Sequence, residues 1–234
     1  MPDSFPLADP RPRSHEAAVL ADVRVLLGRM QQRVVDLRNP ASSAAEAAVA
    51  LEGLHLLIDS ACELAAADPG EIGRLDAGRE LEATLPLLRS SLSEQVRLVA
   101  DPAPVGRFLV RGTAVALRRV VLELAANAQS AMPNGGRLRL GLRRHRGGAV
   151  ACIEPAPLSG GRYARLFVED TGDGIETGLL RRIFEPDFTT RGRGRGRGLA
   201  IVTEILQGLG GGISVASARG RGSRFDVFLP LAST

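Results

Sequence analysis

Arg191 to Val202 reads RGRGRGRGLAIV, four arginine-glycine steps running straight into an apolar, helix-forming segment. Glycines let backbone amides approach an anion closely, and the positive end of a helix beginning near Leu199 adds to the attraction. Arginine supplies the charge, so the stretch reads as a phosphate cradle. Repeated Arg-Gly steps also occur in segments that bind RNA, so the neighbours have to decide between the two readings.

Three other stretches carry that decision. Upstream stand Glu123-Leu124-Ala125-Ala126-Asn127 and Asp170-Thr171-Gly172-Asp173-Gly174-Ile175, and downstream stands Gly220-Arg221-Gly222-Ser223-Arg224-Phe225. The ordered set is a stronger signal than any single member.

A chain of 234 residues has room for one large or two modest domains, and the texture favours two. Hydrophobic content of 44% with 24% charged residues is that of an ordinary globular protein. No apolar run approaches the length of a membrane span, and Met1 to Arg13 lacks the apolar centre of a signal peptide, which predicts a cytoplasmic chain with no membrane partner. Cys62 and Cys152 have neither metal-ligand spacing nor a disulfide framework. All 30 basic residues are arginines against 26 acids, so where they cluster matters more than their sum. Aromatics make up only 3%, which argues against single-stranded nucleic acid held by base stacking.

Residues 1–13 carry Pro2, Pro6, Pro10 and Pro12 and are expected to form a loose arm. From Ser14, apolar residues at Leu20, Val23, Leu27, Met30, Val34 and Leu37 repeat at helical spacing. Asn39-Pro40 breaks that seam, and a second follows at Leu51, Leu54, Ile58, Ala61 and Ala65. Residues 14–68 therefore predict an antiparallel helical hairpin, too small for its own core, that pairs with a second copy as a four-helix bundle. A linker is expected over 67–73, followed by an α+β domain over 74–234.

In that domain, helices are expected at Glu80–Ser93, Ala114–Met132 and Leu199–Leu209. Strands are expected at Val96–Val99, Phe108–Arg111, Arg137–Arg143, Tyr163–Val168, Ile213–Ala216 and Arg224–Leu229. His145 to Gly161 reads as a loop or a hairpin extension. Helices on one face of a mixed sheet account for this order.

Glu123 and Asn127 lie four apart on one helix face, an oxygen-bearing pair able to hold a hydrated magnesium ion, though also compatible with a solvated polar face. Asp170, at a strand end beside permissive glycines, can accept a hydrogen bond from a base amine, or simply open a turn. Phe184 and Phe188 anchor a flap or pack in the core.

The ordered set resembles the ATP-binding catalytic domain of bacterial sensor histidine kinases, within the superfamily of gyrase, Hsp90, histidine kinase and MutL ATPases. Glu123 to Asn127 is similar to its asparagine box, Asp170 to Gly174 to its first glycine box, Ile183 to Thr190 to its phenylalanine box, and Gly194, Gly196 and Gly198 to its second glycine box. The resemblance covers about residues 75–230 and looks closest to the hybrid-kinase branch. It implies an α/β sandwich (the Bergerat fold) with ATP and Mg2+ as cofactors. The metal would fall to Asn127 with Glu123, and the adenine amine to Asp170. Gly172, Gly174, Thr190, Gly194, Gly196, Gly198 and Leu199 would line the nucleotide, Glu176 to Arg193 would form a lid, and Ser223 would close the adenine pocket.

Arg195 and Arg197 depart from the family, which has small or apolar residues there, and Asp187 replaces an aromatic or apolar residue. Glu123 stands where the superfamily's hydrolases carry a glutamate that polarises water. The resemblance also requires a phosphoacceptor histidine, and His15-Glu16, at the start of the first helix, fits best. There Glu16 would take the imidazole proton as the ring nitrogen attacks the γ-phosphate. Val19 departs from the motif. The chain is thus read as a homodimeric histidine kinase core that passes its phosphoryl group to a response regulator receiver domain. The alternatives are a non-kinase phosphotransfer dimer, or a regulatory ATP-binding protein with a degenerate site.

Overall fold

A computed structural model describes residues 73–102, 105–147, 154, 157–189 and 198–232, all within the compact unit Gly70–Thr234. The arm, the hairpin, His15 and Glu16 lie outside the described residues, as do Thr190 and Arg191 to Arg197. The described chain forms β1 (Gly73–Asp76), α1 (Ala77–Ser91), β2 (Val96–Ala100), β3 (Leu109–Gly112), α2 (Ala114–Ser130), β4 (Gly136–Gly147), β5 (Gly161–Asp170), α3 (Gly198–Gly208), β6 (Gly212–Ser217) and β7 (Ser223–Pro230). Two short 3-10 turns, Thr177–Leu179 and Arg182–Phe184, precede α3.

Five strands make one mixed sheet in the order β2-β4-β5-β7-β6, with β2 parallel to β4 and the other pairs antiparallel. Register sorts its side chains by period two. Leu138, Leu140 and Leu142 pair with Asp170, Val168 and Leu166, and Phe225, Val227 and Ile213 continue the same face across β7 and β6. These apolar residues join Leu88 of α1, Val120, Leu124 and Ala128 of α2, and Val202 and Leu206 of α3 in one buried cluster. The helices therefore cover one face, as the alternation predicts.

Burying each such leucine or valine contributes about 1.5–3 kcal/mol. That gain is concentrated on the face beneath α2, the helix that carries Glu123 and Asn127.

The opening of the unit differs from expectation. β1, an unexpected strand that begins at the last residue of the expected linker, pairs antiparallel with β3 in a separate two-stranded sheet. Asp76 then starts α1 three residues before Glu80, its carboxylate accepting from the amides of Gly78 at 3.0 Å and Phe108 at 3.2 Å. A capping aspartate that satisfies an orphan amide of the first turn is enough to extend the helix upstream.

The β4–β5 hairpin also runs longer than expected, taking in His145 to Gly147 and Gly161, so the hairpin-extension reading holds for those residues. On its outer face Phe228 meets both His145 and Tyr163 edge-on, while the His145 and Tyr163 rings are tilted to each other. Among the described residues no helix is long and apolar enough to cross a membrane.

Candidate functional site

Two groups of predicted residues meet at opposite ends of α2's last turns. The first lies where α3 begins. Thr113 caps α2, accepting from the Ala116 amide at 3.1 Å, and the buried stripe of Leu117, Val120, Val121, Leu124 and Ala128 fixes the helix's rotation. That rotation leaves Glu123 only 5% exposed and Asn127 half-buried, both on the side of α3.

Gly198, the first residue of α3, sits directly against them. A Cβ at this position would stand 2.8 Å from Glu123 Oε2, 3.6 Å from Asn127 Nδ2 and 3.8 Å from Asn127 Oδ1. Any side chain would fill the space into which the carboxylate and the amide converge. Leu199 is buried behind it and anchors α3 to the core. The glycine thus brings a helix N-terminus, with its unsatisfied amides and positive dipole end, against two oxygen-bearing side chains.

The second group surrounds Asp170, which ends β5 and is 4% exposed. Its Oδ1 accepts from the Gly172 amide at 2.8 Å and the Ser223 amide at 3.3 Å, so the carboxylate is oriented by backbone from two strands' ends. Gly174 and Gly222 have φ values of +68° and +76°, and a Cβ on either would lie 2.0 Å from a carbonyl oxygen, that of Ala218 or Asp170. Only glycine permits so close a backbone approach there.

The two groups are joined through Ala131, one turn past Asn127. Its amide donates to the Asn127 carbonyl at 3.1 Å, and its own carbonyl accepts from the Asp173 amide at 2.9 Å. A Cβ on Gly172 would stand 2.3 Å from that same Ala131 oxygen. The helix bearing Glu123 and Asn127 therefore ends against the glycine turn that follows Asp170. Glu123, Asn127, Asp170, Gly172, Gly174, Gly198, Leu199 and Ser223 all belong to this α2-centred arrangement.

Sequence reasoning missed Ser217. Its Oγ accepts from the Ile175 amide at 2.8 Å, donates to the Gly222 carbonyl at 2.9 Å and lies 3.0 Å from Ser223 Oγ. One hydroxyl thereby ties the loop after Asp170 to the β6–β7 turn. The sequence carried no local signal for it, since Ser217 and Ser223 become direct partners only through the β6–β7 register. Ser217→Ala removes the acceptor of a part-buried amide, and a loss of about 1–3 kcal/mol is expected. It should appear as a lower urea midpoint at unchanged m; an unmoved midpoint would show that the hydroxyl ties nothing.

The donor set suits a magnesium-nucleotide. Among the described residues no group of three or more His, Cys, Asp or Glu could hold a metal ion. A cation at Glu123 and Asn127 would therefore draw further ligands from water and phosphate, as Mg2+ does. The space opened by Gly198 beside that pair is where such a ligand set would fit.

The family described as Histidine kinase-, DNA gyrase B-, and HSP90-like ATPase matches residues 112–233. The two-component sensor PprA of Pseudomonas aeruginosa is 42% identical over 154 residues, 65% of this chain and 16% of that protein. The sensor kinase CckA of Brucella abortus is 41% identical over 114 residues, 48% of this chain and 12% of that protein. The chain thus spans less than a fifth of either relative.

Among solved structures, the mycobacterial sensor histidine kinase MprB superposes with a TM-score of 0.55 at 24% identity, covering 69% of this chain and 99% of that one. Full-length ShkA in complex with AMPPNP superposes with a TM-score of 0.57 at 23% identity, covering 95% of this chain and 46% of that one. At these identities the superpositions speak for the fold.

Proposed function

The chain belongs to the histidine kinase-, DNA gyrase B- and HSP90-like ATPase family, and on that premise we propose that it binds Mg-ATP and phosphorylates His15. From His15 the phosphoryl group would pass to an aspartate of a response regulator receiver domain. The observation that carries the nucleotide site is the convergence of Glu123, Asn127 and Gly198 at the start of α3. Magnesium, when bound, would neutralise phosphate charge as the γ-phosphoryl group transfers.

The chain's own residues do the positioning. Asn127 and Glu123 would present oxygens to the metal and the amides at Gly198 and Leu199 would meet the phosphates, a role that the family resemblance also assigns to Gly194, Gly196 and Thr190. Asp170, held by the Gly172 and Ser223 amides, accepts from the purine amine, and Gly174 lets the loop close beneath the ring. Glu16 accepts the His15 proton, leaving the ring nitrogen to attack the γ-phosphorus as its bond to the ADP oxygen breaks. Catalysis is then mostly alignment and charge neutralisation. Residues 14–68 would pair two copies of the chain, with the cytoplasm as the compartment.

Incubating the full chain with γ-labelled ATP tests this reading. The expected label is acid-labile and base-stable, and is lost in His15→Ala while ATP binding persists. Label unchanged in that variant would remove His15 from the mechanism.

A further inference from the structure

The sheet face turned away from the helices is dominated by arginine. Arg97 of β2, Arg137, Arg139 and Arg143 of β4, Arg165 of β5 and Arg224 of β7 all project from it by register. Three acids sit among them, and each is already engaged. Asp101 pairs with Arg139 and Arg143, Asp226 with Arg165 and Arg224, and Glu169 with Arg224. The Arg139 hydrogen bond also holds the Asp101 carboxyl below the usual carboxylate range, so it stays ionised at neutral pH.

Arg97 and Arg137 stand apart from this network. They are direct partners across the β2–β4 ladder, both exposed, and neither has an ion pair among the described residues. Like charges directly opposite on a sheet are destabilising. With Val99, Asp101 and Arg139 they line an open groove of about 400 Å³.

We propose that this groove docks a carboxylate-rich surface of a partner protein, with Arg97 and Arg137 as its anchoring cations. The site is separate from the nucleotide-binding reading and does not depend on it.

The surroundings select the partner's class. Phe167 is 2% exposed, and the guanidiniums of Arg139, Arg143 and Arg224 lie 5.7, 5.7 and 4.5 Å from its ring centroid, so no aromatic surface is left for base stacking. Acids interspersed with the arginines would repel a continuous row of phosphates, whereas a protein surface of mixed charge can match both signs. Val105, in the loop that follows Asp101, is the only exposed large hydrophobic residue among those described, and a single valine is too little apolar surface to anchor the face in a bilayer. An open face also suits a protein better than a small ligand, which needs most of its own surface buried.

Poly-L-glutamate is the probe, titrated against the full chain at low and physiological salt. Arg97→Ser with Arg137→Ser is expected to weaken binding tenfold or more and to flatten its salt dependence. Arg79→Ser, an exposed arginine on α1, should leave it unchanged. ATP affinity and thermal stability should also survive the double variant, which separates a failure here from a failure of the nucleotide site. If Arg137→Ser impairs folding, Arg97→Ser alone carries the comparison and should still weaken binding severalfold. Equal affinity of wild type and variants for poly-L-glutamate would overturn the proposal. Tighter, arginine-dependent binding of oligothymidylate or phosphatidylserine vesicles would overturn it too.

Discussion

Asp170→Ala is expected to weaken ATP binding by about 30- to 150-fold, the equivalent of a charge-assisted hydrogen bond of about 2–3 kcal/mol. The carboxylate is 4% exposed and its Oδ1 already collects the amides of Gly172 and Ser223. Alanine therefore removes the acceptor for the purine amine and also strands two backbone donors, each at about 1–3 kcal/mol.

Asp170→Asn separates the two effects, because its amide oxygen can still accept from the Gly172 and Ser223 amides. Stability close to wild type is expected for Asn, with nucleotide affinity lost by at least tenfold. Fluorescent-nucleotide titration and urea unfolding, run side by side on both variants, read the two quantities. Wild-type affinity in Asp170→Ala would place the purine elsewhere.

Much of this site was legible because its parts are written locally. Glu123 and Asn127 share a helix face by spacing alone, and Leu138, Leu140 and Leu142 announce a half-buried strand by alternation. Asp170 follows an apolar strand and precedes glycines, which marks a strand end whatever its function.

What the sequence could not reveal are contacts between segments far apart in the chain. The bond from Asp173 to Ala131 and the three-way tie through Ser217 depend on register across strands, to which local periodicity is blind. β1 escaped notice because Gly73 to Asp76 offers a single alternation and borders a glycine-containing first helical turn. Asp76 was a visible capping residue, but Gly78 two positions on weakens any helical pattern there.

A pair of glycine substitutions separates backbone strain from loss of space. Gly220 and Gly222 flank Arg221 in the β6–β7 turn, with φ of +73° and +76°. An L-residue forced into that left-handed region costs about 1–2 kcal/mol, so alanine at either position incurs this much. At Gly220 nothing lies within 4 Å of an added Cβ, and the strain is the whole effect. At Gly222 the Cβ would stand 2.0 Å from the Asp170 carbonyl oxygen, 2.9 Å from its carbon and 3.0 Å from Thr171 Cα. All three are backbone atoms, so relief requires β7 to move away from the end of β5. The Ser223 amide would move with it and release the Asp170 carboxylate. Overpacking of this kind adds about 1–3 kcal/mol to the strain, for a total of about 2–5 kcal/mol. Gly222→Ala is therefore expected to lose both stability and ATP affinity, while Gly220→Ala loses about 1–2 kcal/mol of stability and keeps its nucleotide. Calorimetry and nucleotide titration of the two variants decide the matter, since equal losses would mean that the close approach of Gly222 to Asp170 does not position the carboxylate.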